Sequence, residues 1–219
     1  MQKYKIDRTN LITYKHQKTK KVKSARCRYL AKSHIVNCDA QNQSFIYVNY
    51  RGSLFKKVKF QNCKIGGCDF WGTTFNNCDF RGANISDCVF MACKFYNCDF
   101  TDTIIDYTTI VNTSLTECKN IFIDSTTQIY TTYPKCDLSD NLKDVIDNLK
   151  FNKNLRKCKL LHISDKKYNE LNLFLLQQRF TNKELTELLM QLSNHSTATI
   201  TTYKKLERQL KKIKEGGTI

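Results

Sequence analysis

Eleven cysteines and four histidines are the residues of this chain with the widest chemical reach. Thiols bind zinc, pair as disulfides or act as nucleophiles, and imidazoles ligate metals or move protons. Their spacing argues against each of these. His16, His34, His162 and His195 fall in unrelated segments, and the chain has no close Cys-x-x-Cys pair, nucleophile motif, Gly-rich phosphate loop or His-Glu metal arrangement. All eight cysteines between residues 33 and 127, Cys38, Cys63, Cys68, Cys78, Cys88, Cys93, Cys98 and Cys118, instead leave the same remainder on division by five. A reactive site gathers unlike groups at one place, whereas a fixed period spreads one kind of group along an axis. The period therefore assigns these thiols to packing, as small buried hydrophobes whose burial keeps them protonated and inert. The alternative is a metal or redox column, since stacked thiols lie within bridging distance. An odd count without paired spacing fits reduced thiols in a cytoplasmic protein. Neither a catalytic residue nor a bound cofactor or metal is expected.

The elements that would position these thiols follow from the same period. Two residues after each thiol position, from Ile35 to Leu115, every fifth residue is apolar, seventeen of seventeen, in a chain that is 41% hydrophobic. The position two before each of these centres is small or a thiol, with Gln43 the exception. Two inward positions in five describe a short strand with alternating side chains. The intervening residues, such as Asn76-Asn77 and Arg81-Gly82, suit a corner, because Asn and Gly tolerate left-handed backbone. Stepping by twenty gives columns of one kind: Phe60, Phe80 and Phe100; Ile65, Ile85 and Ile105; Phe75 and Phe95. Self-similarity of this sort marks a stacked solenoid.

Units such as Cys78-Asp79-Phe80-Arg81-Gly82 and Cys98-Asp99-Phe100-Thr101-Asp102 resemble those of the pentapeptide-repeat family. The resemblance covers about 95 residues and implies a mainly β solenoid, a right-handed quadrilateral β-helix with four pentapeptides per square coil. Nearly five coils, with strands about 4.8 Å apart, make a rod on the order of 23 Å long. The expected organisation is a basic arm or cap at residues 1–32, the β-helix with a closing strand at 33–138, and an α-helical domain at 139–219. The strand-like alternation of Tyr4, Ile6, Leu11, Ile12 and Tyr14 is suited to sealing the first coil, and Ile129 to Pro134 the last.

Charge separates these parts. The chain carries a net +16, but residues 33–127 hold eight basic against nine acidic residues, while residues 1–32 hold eleven against one and 128–219 hold seventeen against ten. The run containing Lys18, Lys20, Lys21 and Lys23 reads either as an arm for nucleic-acid phosphate or as a solubilising tail. No stretch reaches the roughly 20 apolar residues of a membrane helix.

From Ser139 the period becomes helical. Leu142, Val145, Ile146 and Leu149 form one stripe, Tyr168, Leu171, Phe174 and Leu175 another, and Thr181 with Glu184 makes a capping box ahead of Leu185 and Leu188. A last helix is predicted over about 197–214. The segment from Leu185 to Arg208 resembles the helix-turn-helix of winged-helix repressors of the multiple-antibiotic-resistance-regulator type. That resemblance implies a recognition helix presenting Thr197, Thr201, Thr202, Lys204, Lys205 and Arg208 to a DNA groove. The other reading is a small bundle capping the rod.

One outward column is apolar: Trp71, Met91 and Val111 recur at twenty-residue spacing with Val89 alongside. An apolar patch of this sort marks a contact site, filled by a partner, a second copy or the helices, so Trp71 is not expected to be freely solvated. The function this suggests is a non-catalytic interaction or scaffold protein docking through its rod. The family resemblance points to a DNA topoisomerase as partner, although the rod is nearly neutral. The alternative is a nucleic-acid-binding regulator using the C-terminal helices and the N-terminal arm.

Overall fold

In the computed structural model, residues 13–14 and 19–216 are described. They form a square parallel β-solenoid of about six turns followed by a helical domain. The first wall stacks Thr13–Tyr14, His34–Val36, Leu54–Lys56, Thr74–Asn76 and Lys94–Tyr96. The second is held mainly by single bridges joining Asp39, Lys59, Asp79, Asp99 and Lys119. The third runs from Ala25–Arg26 through Ser44–Ile46, Lys64–Gly66 and Asn84–Ser86 to Ile104–Asp106. The fourth stacks Asp69–Trp71, Val89–Met91, Thr109–Val111 and Gln128–Tyr130. From the Ala25–Phe45 pair onward registers advance by twenty residues per coil until the last pair, where Thr109 meets Gln128.

The rod is longer than the period suggests. Lys20–Lys21 pairs in parallel with Cys38–Asp39, and Ala25–Arg26 pairs with the strand at Ser44–Ile46. The basic residues next to the arm thus belong to the first coil, where the centres read Lys20, Ala25 and Leu30 and the bulky pattern is diluted. Thr13–Tyr14 and Gln128–Tyr130 pair at the two ends. Tyr4, Ile6, Leu11, Ile12 and Lys18 lie outside the described residues.

Sixteen of the seventeen centres, all but Leu115, are buried. Their rings stack coil on coil at the strand repeat: Phe55 on Phe75 at 5.1 Å, Phe75 on Phe95 at 4.7 Å, Phe80 on Phe100 at 4.7 Å. Neighbouring columns meet edge to face, as Phe75 meets Phe80 at 66°. The thiol position has a second role besides filling space. Cys63 Sγ donates to the Ala40 carbonyl at 2.8 Å and Cys68 Sγ to Phe45 at 3.2 Å, and Cys93 reaches the Phe70 carbonyl in the same way. Thr73 and Thr103 make the equivalent bonds to Tyr50 at 2.8 Å and Phe80 at 2.7 Å. Cysteine, serine and threonine at this position combine small size with a donor, while Val48, Val58 and Ala83 fill it by size alone. Burial pushes the Cys63 thiol up to about 11 and Cys93 up to about 12. Corner residues such as Asn62, Asn77 and Asn97 take positive φ, as the turn chemistry requires.

The helical domain comprises α1 (Asp140–Leu149), α2 (Lys153–Lys157), a hairpin of His162–Ser164 and Lys167–Tyr168, α3 (Glu170–Gln177), α4 (Asn182–Leu192) and α5 (Tyr203–Lys214). The Thr181–Glu184 capping box is formed at the start of α4. The last helix begins at Tyr203 rather than near Thr197. Asn154 Nδ2 donates to the carbonyls of Thr197 and Ile200 at 2.6 and 2.8 Å, and Asn49 Nδ2 to that of Thr201 at 2.9 Å. These amides occupy carbonyls a helix would use, and Thr202 caps α5 through the Lys205 amide.

Candidate interaction surfaces

The helical domain lies against the fourth wall. Along that wall the outward column reads Tyr29, Asn49, Asp69, Val89 and Thr109, and its lower half is polar while its upper half is apolar. Val89 and Val111 are buried in one cluster with Leu142, Leu171, Leu175 and Leu206, and Met91 packs on its margin. Trp71 is half-buried, with the Arg51 guanidinium 3.8 Å above its ring and Tyr133 6.4 Å away. Val89, Met91 and Val111 thus form an internal junction with the chain's own helices, while Trp71 meets Arg51 of the rod and Tyr133 of the connecting segment. Continuous apolar outward residues need a cover, and the nearest one is covalently attached.

The polar half of the junction was not anticipated from the sequence. Asn49 donates to Cys158 O at 3.2 Å as well as to Thr201, and Arg51 Nη1 reaches Lys159 O at 3.4 Å. Asp69, 6% exposed, accepts from the Tyr203 amide at 3.1 Å and so sits on the N-terminus of α5. Burial pushes its carboxyl up to about 7, against the opposing pull of the Tyr203 amide and Arg51. The available signal was a column that turns from Asn49 and Asp69 to Val89 within two coils.

Of the residues assigned to a DNA groove, Thr201, Lys204, Lys205 and Arg208 contact the rod instead. Thr201 is buried and its hydroxyl donates to the Tyr47 carbonyl, and Thr197 and Thr202 are buried as well. Lys204 Nζ pairs with Asp87 at 3.0 Å and with Glu207 at 2.9 Å. Burial alone would raise the Glu207 carboxyl, but Lys211 and Lys204 together hold it below its usual range. Lys205 Nζ lies 5.5 Å from the Tyr47 ring centre, and Arg208 Nη1 donates to the Tyr47 hydroxyl at 2.8 Å. Ten residues, 193–202, separate α4 from α5, far more than the three or four of a helix-turn-helix. The recognition-helix reading is therefore replaced by a bracing helix. Lys20 and Lys21 lie in a strand of the rod, and Lys23 is exposed beside it.

The second wall is solvated and satisfies itself. Gln41 bonds Gln61, Gln61 Nε2 bonds Asp79 at 2.6 Å, Arg81 bonds Asp79 at 2.7 Å, and Asn120 bonds Thr101 at 2.7 Å. Among the described residues no group of three or more His, Cys, Asp or Glu side chains is placed to hold a metal ion, and no helix is long and apolar enough to cross a membrane.

Residues 53–90, within the rod, match the family model of pentapeptide repeats in eight copies. The chain is similar to the solved structure of QnrB1, a plasmid-mediated fluoroquinolone resistance protein, with 15% identity over 52% of this chain and 69% of that one and a TM-score of 0.36. A pentapeptide repeat protein of the cyanobacterium Cyanothece gives 12% identity over 46% and 63% and a TM-score of 0.28. One from the Arabidopsis thaliana thylakoid lumen gives 15% over 67% and 86% and a TM-score of 0.27. Comparison with curated proteins finds no match.

Proposed function

We propose that this is a non-catalytic docking protein whose rod engages a protein partner while the helices brace its fourth wall. The observation that carries the reading is where large apolar side chains stay exposed. Of the six large apolar side chains exposed among the described residues, Ile104, Tyr107, Phe122 and Ile129, between 54% and 72% exposed, belong to the last coils of the rod, while Phe151 and Met190 stand apart from one another in the helical domain. Apolar surface concentrated in one region supports a contact site. Affinity capture from the host with the wild-type chain and with a double Ile104→Asp, Phe122→Asp variant tests this. Proteins held by the wild type and lost from the variant are expected; an identical set on both would sink the reading. A type II DNA topoisomerase is the partner class that the repeat family suggests, and the near-neutral rod weighs against imitation of DNA by charge. Supercoiling by a purified topoisomerase decides that point: activity and quinolone sensitivity both unchanged by saturating protein would remove it. A second copy of the chain is a further occupant, visible as a dimer in size-exclusion chromatography.

A further inference from the structure

The third wall carries a dent. Its outward residues before the corner read Arg26, Ile46, Gly66, Ser86 and Asp106, and its corner residues read Cys27, Tyr47, Gly67, Asp87 and Tyr107. Only the Lys64–Gly66 coil lacks side chains at both places. Gly67 has φ +60°, and a Cβ there would lie 2.6 Å from two Tyr47 ring carbons, so the glycine is what lets that ring lie against the wall. The result is a groove of about 400 Å³ between the third wall and α5, bounded by Arg26, Lys64, Ser86 and Arg208.

Cations converge on this groove. The Arg26 guanidinium is 5.8 Å from the Tyr47 ring centre, Lys205 Nζ is 5.5 Å from it, and Arg208 holds the Tyr47 hydroxyl. Lys64 projects from the wall two strands beyond Arg26, a span of about 10 Å. The carboxylate in the lining, Asp87, is engaged by Lys204. None of Arg26, Lys64, Lys205 and Arg208 has a carboxylate within salt-bridge distance among the described residues. Arg26, Lys205 and Arg208 gathered about one buried ring, with Lys64 further along the wall, repel one another, and an anion in the groove stabilises the arrangement. An open groove with charges strung along about 10 Å fits a chain of phosphates better than one compact ion.

We propose that this groove binds the sugar–phosphate backbone of a nucleic-acid strand. Tyr47 is only 8% exposed and offers no face for base stacking, so binding is tolerant of sequence and strongly weakened by salt. The site is built jointly by the rod and α5, and it does not depend on the partner proposed for the distal coils.

Fluorescence anisotropy of a labelled 20-nucleotide oligo-dT with the full chain, across a salt series, tests it. Each of Arg26→Glu, Lys64→Glu and Arg208→Glu is expected to weaken binding about tenfold and to flatten the log–log salt slope by roughly 0.7 to 1. Ser86→Glu, which leaves every cation and its contacts in place, is expected to weaken binding similarly. The double reversal Lys166→Glu, Lys167→Glu, on the exposed hairpin, is expected to change it less than about twofold. No binding at low salt would overturn the proposal, as would equal losses from the hairpin and groove variants. Equal, groove-dependent competition by polyglutamate would overturn it in favour of an acidic protein ligand.

Discussion

The second and fourth walls share parallel stacking and an apolar interior, yet one faces water and the other is covered by the helical domain. On the second wall the outward column alternates Asp39, Lys59, Asp79, Asp99 and Lys119, tied along the axis by amides and an arginine. On the fourth it passes from Asn49 and Asp69 to Val89, with Val111 in the neighbouring column, and these residues pair with or pack on a different domain. The interior decides that a rod forms. The outward columns decide what each wall meets, and a column that stops satisfying itself is where to look for a contact.

The comparison is sharpest in the interior common to both walls. Phe75→Ala removes a ring stacked between Phe55 and Phe95 and is expected to cost about 3–5 kcal/mol, read by urea denaturation. A smaller loss would mean the stack collapses around the gap. At the covered wall, Val111→Asp buries an unpaired carboxylate at the junction and is expected to cost about 3 kcal/mol, with new protease cleavage in the helical domain. Retained protease resistance would place the binding energy of the junction elsewhere.

Asp69 sharpens the comparison through pH. Its folded pKa is raised to about 7, so the folded state holds a proton that the unfolded chain releases near its ordinary value of 3.8. Its contribution is therefore fully present below about pH 4 and is lost as pH rises towards 7. Asp69→Asn removes that slope, so the variant is expected to gain on the wild type by about 4 kcal/mol between pH 4 and pH 8. Parallel stability profiles would show that solvent reaches the carboxylate. The smallest effect belongs to the open wall. Arg81→Ala breaks an exposed pair with Asp79 and is expected to leave the denaturation midpoint unchanged; a clear shift would make the polar ladder a structural element.

Much of this was legible in the residues. The period of five placed the solenoid, the buried thiols and the apolar column, because each coil repeats the same local rules. The first coil is masked in the sequence because Lys20 and Ala25 stand where bulky centres would be. The start of α5 was misplaced because Asn49 and Asn154 act from 152 and 46 residues away, beyond any local propensity. Asp69 and the Gly66–Gly67 dent depend on which wall the helices choose, and a single strand's sequence does not encode that.

A stack whose coils touch only their neighbours can fray one rung at a time from either end. The helices interrupt that. Asn49, Asp69, Val89 and Thr109 lie on four successive rungs, and Asn49, Asp69 and Val89 each contact the helical domain. A splint along one side of a ladder couples rungs that would otherwise open independently. Amide hydrogen exchange should then fall into two regimes: gradual protection loss in the coil before Asn49 and in the coil after Thr109, and a single cooperative block between them.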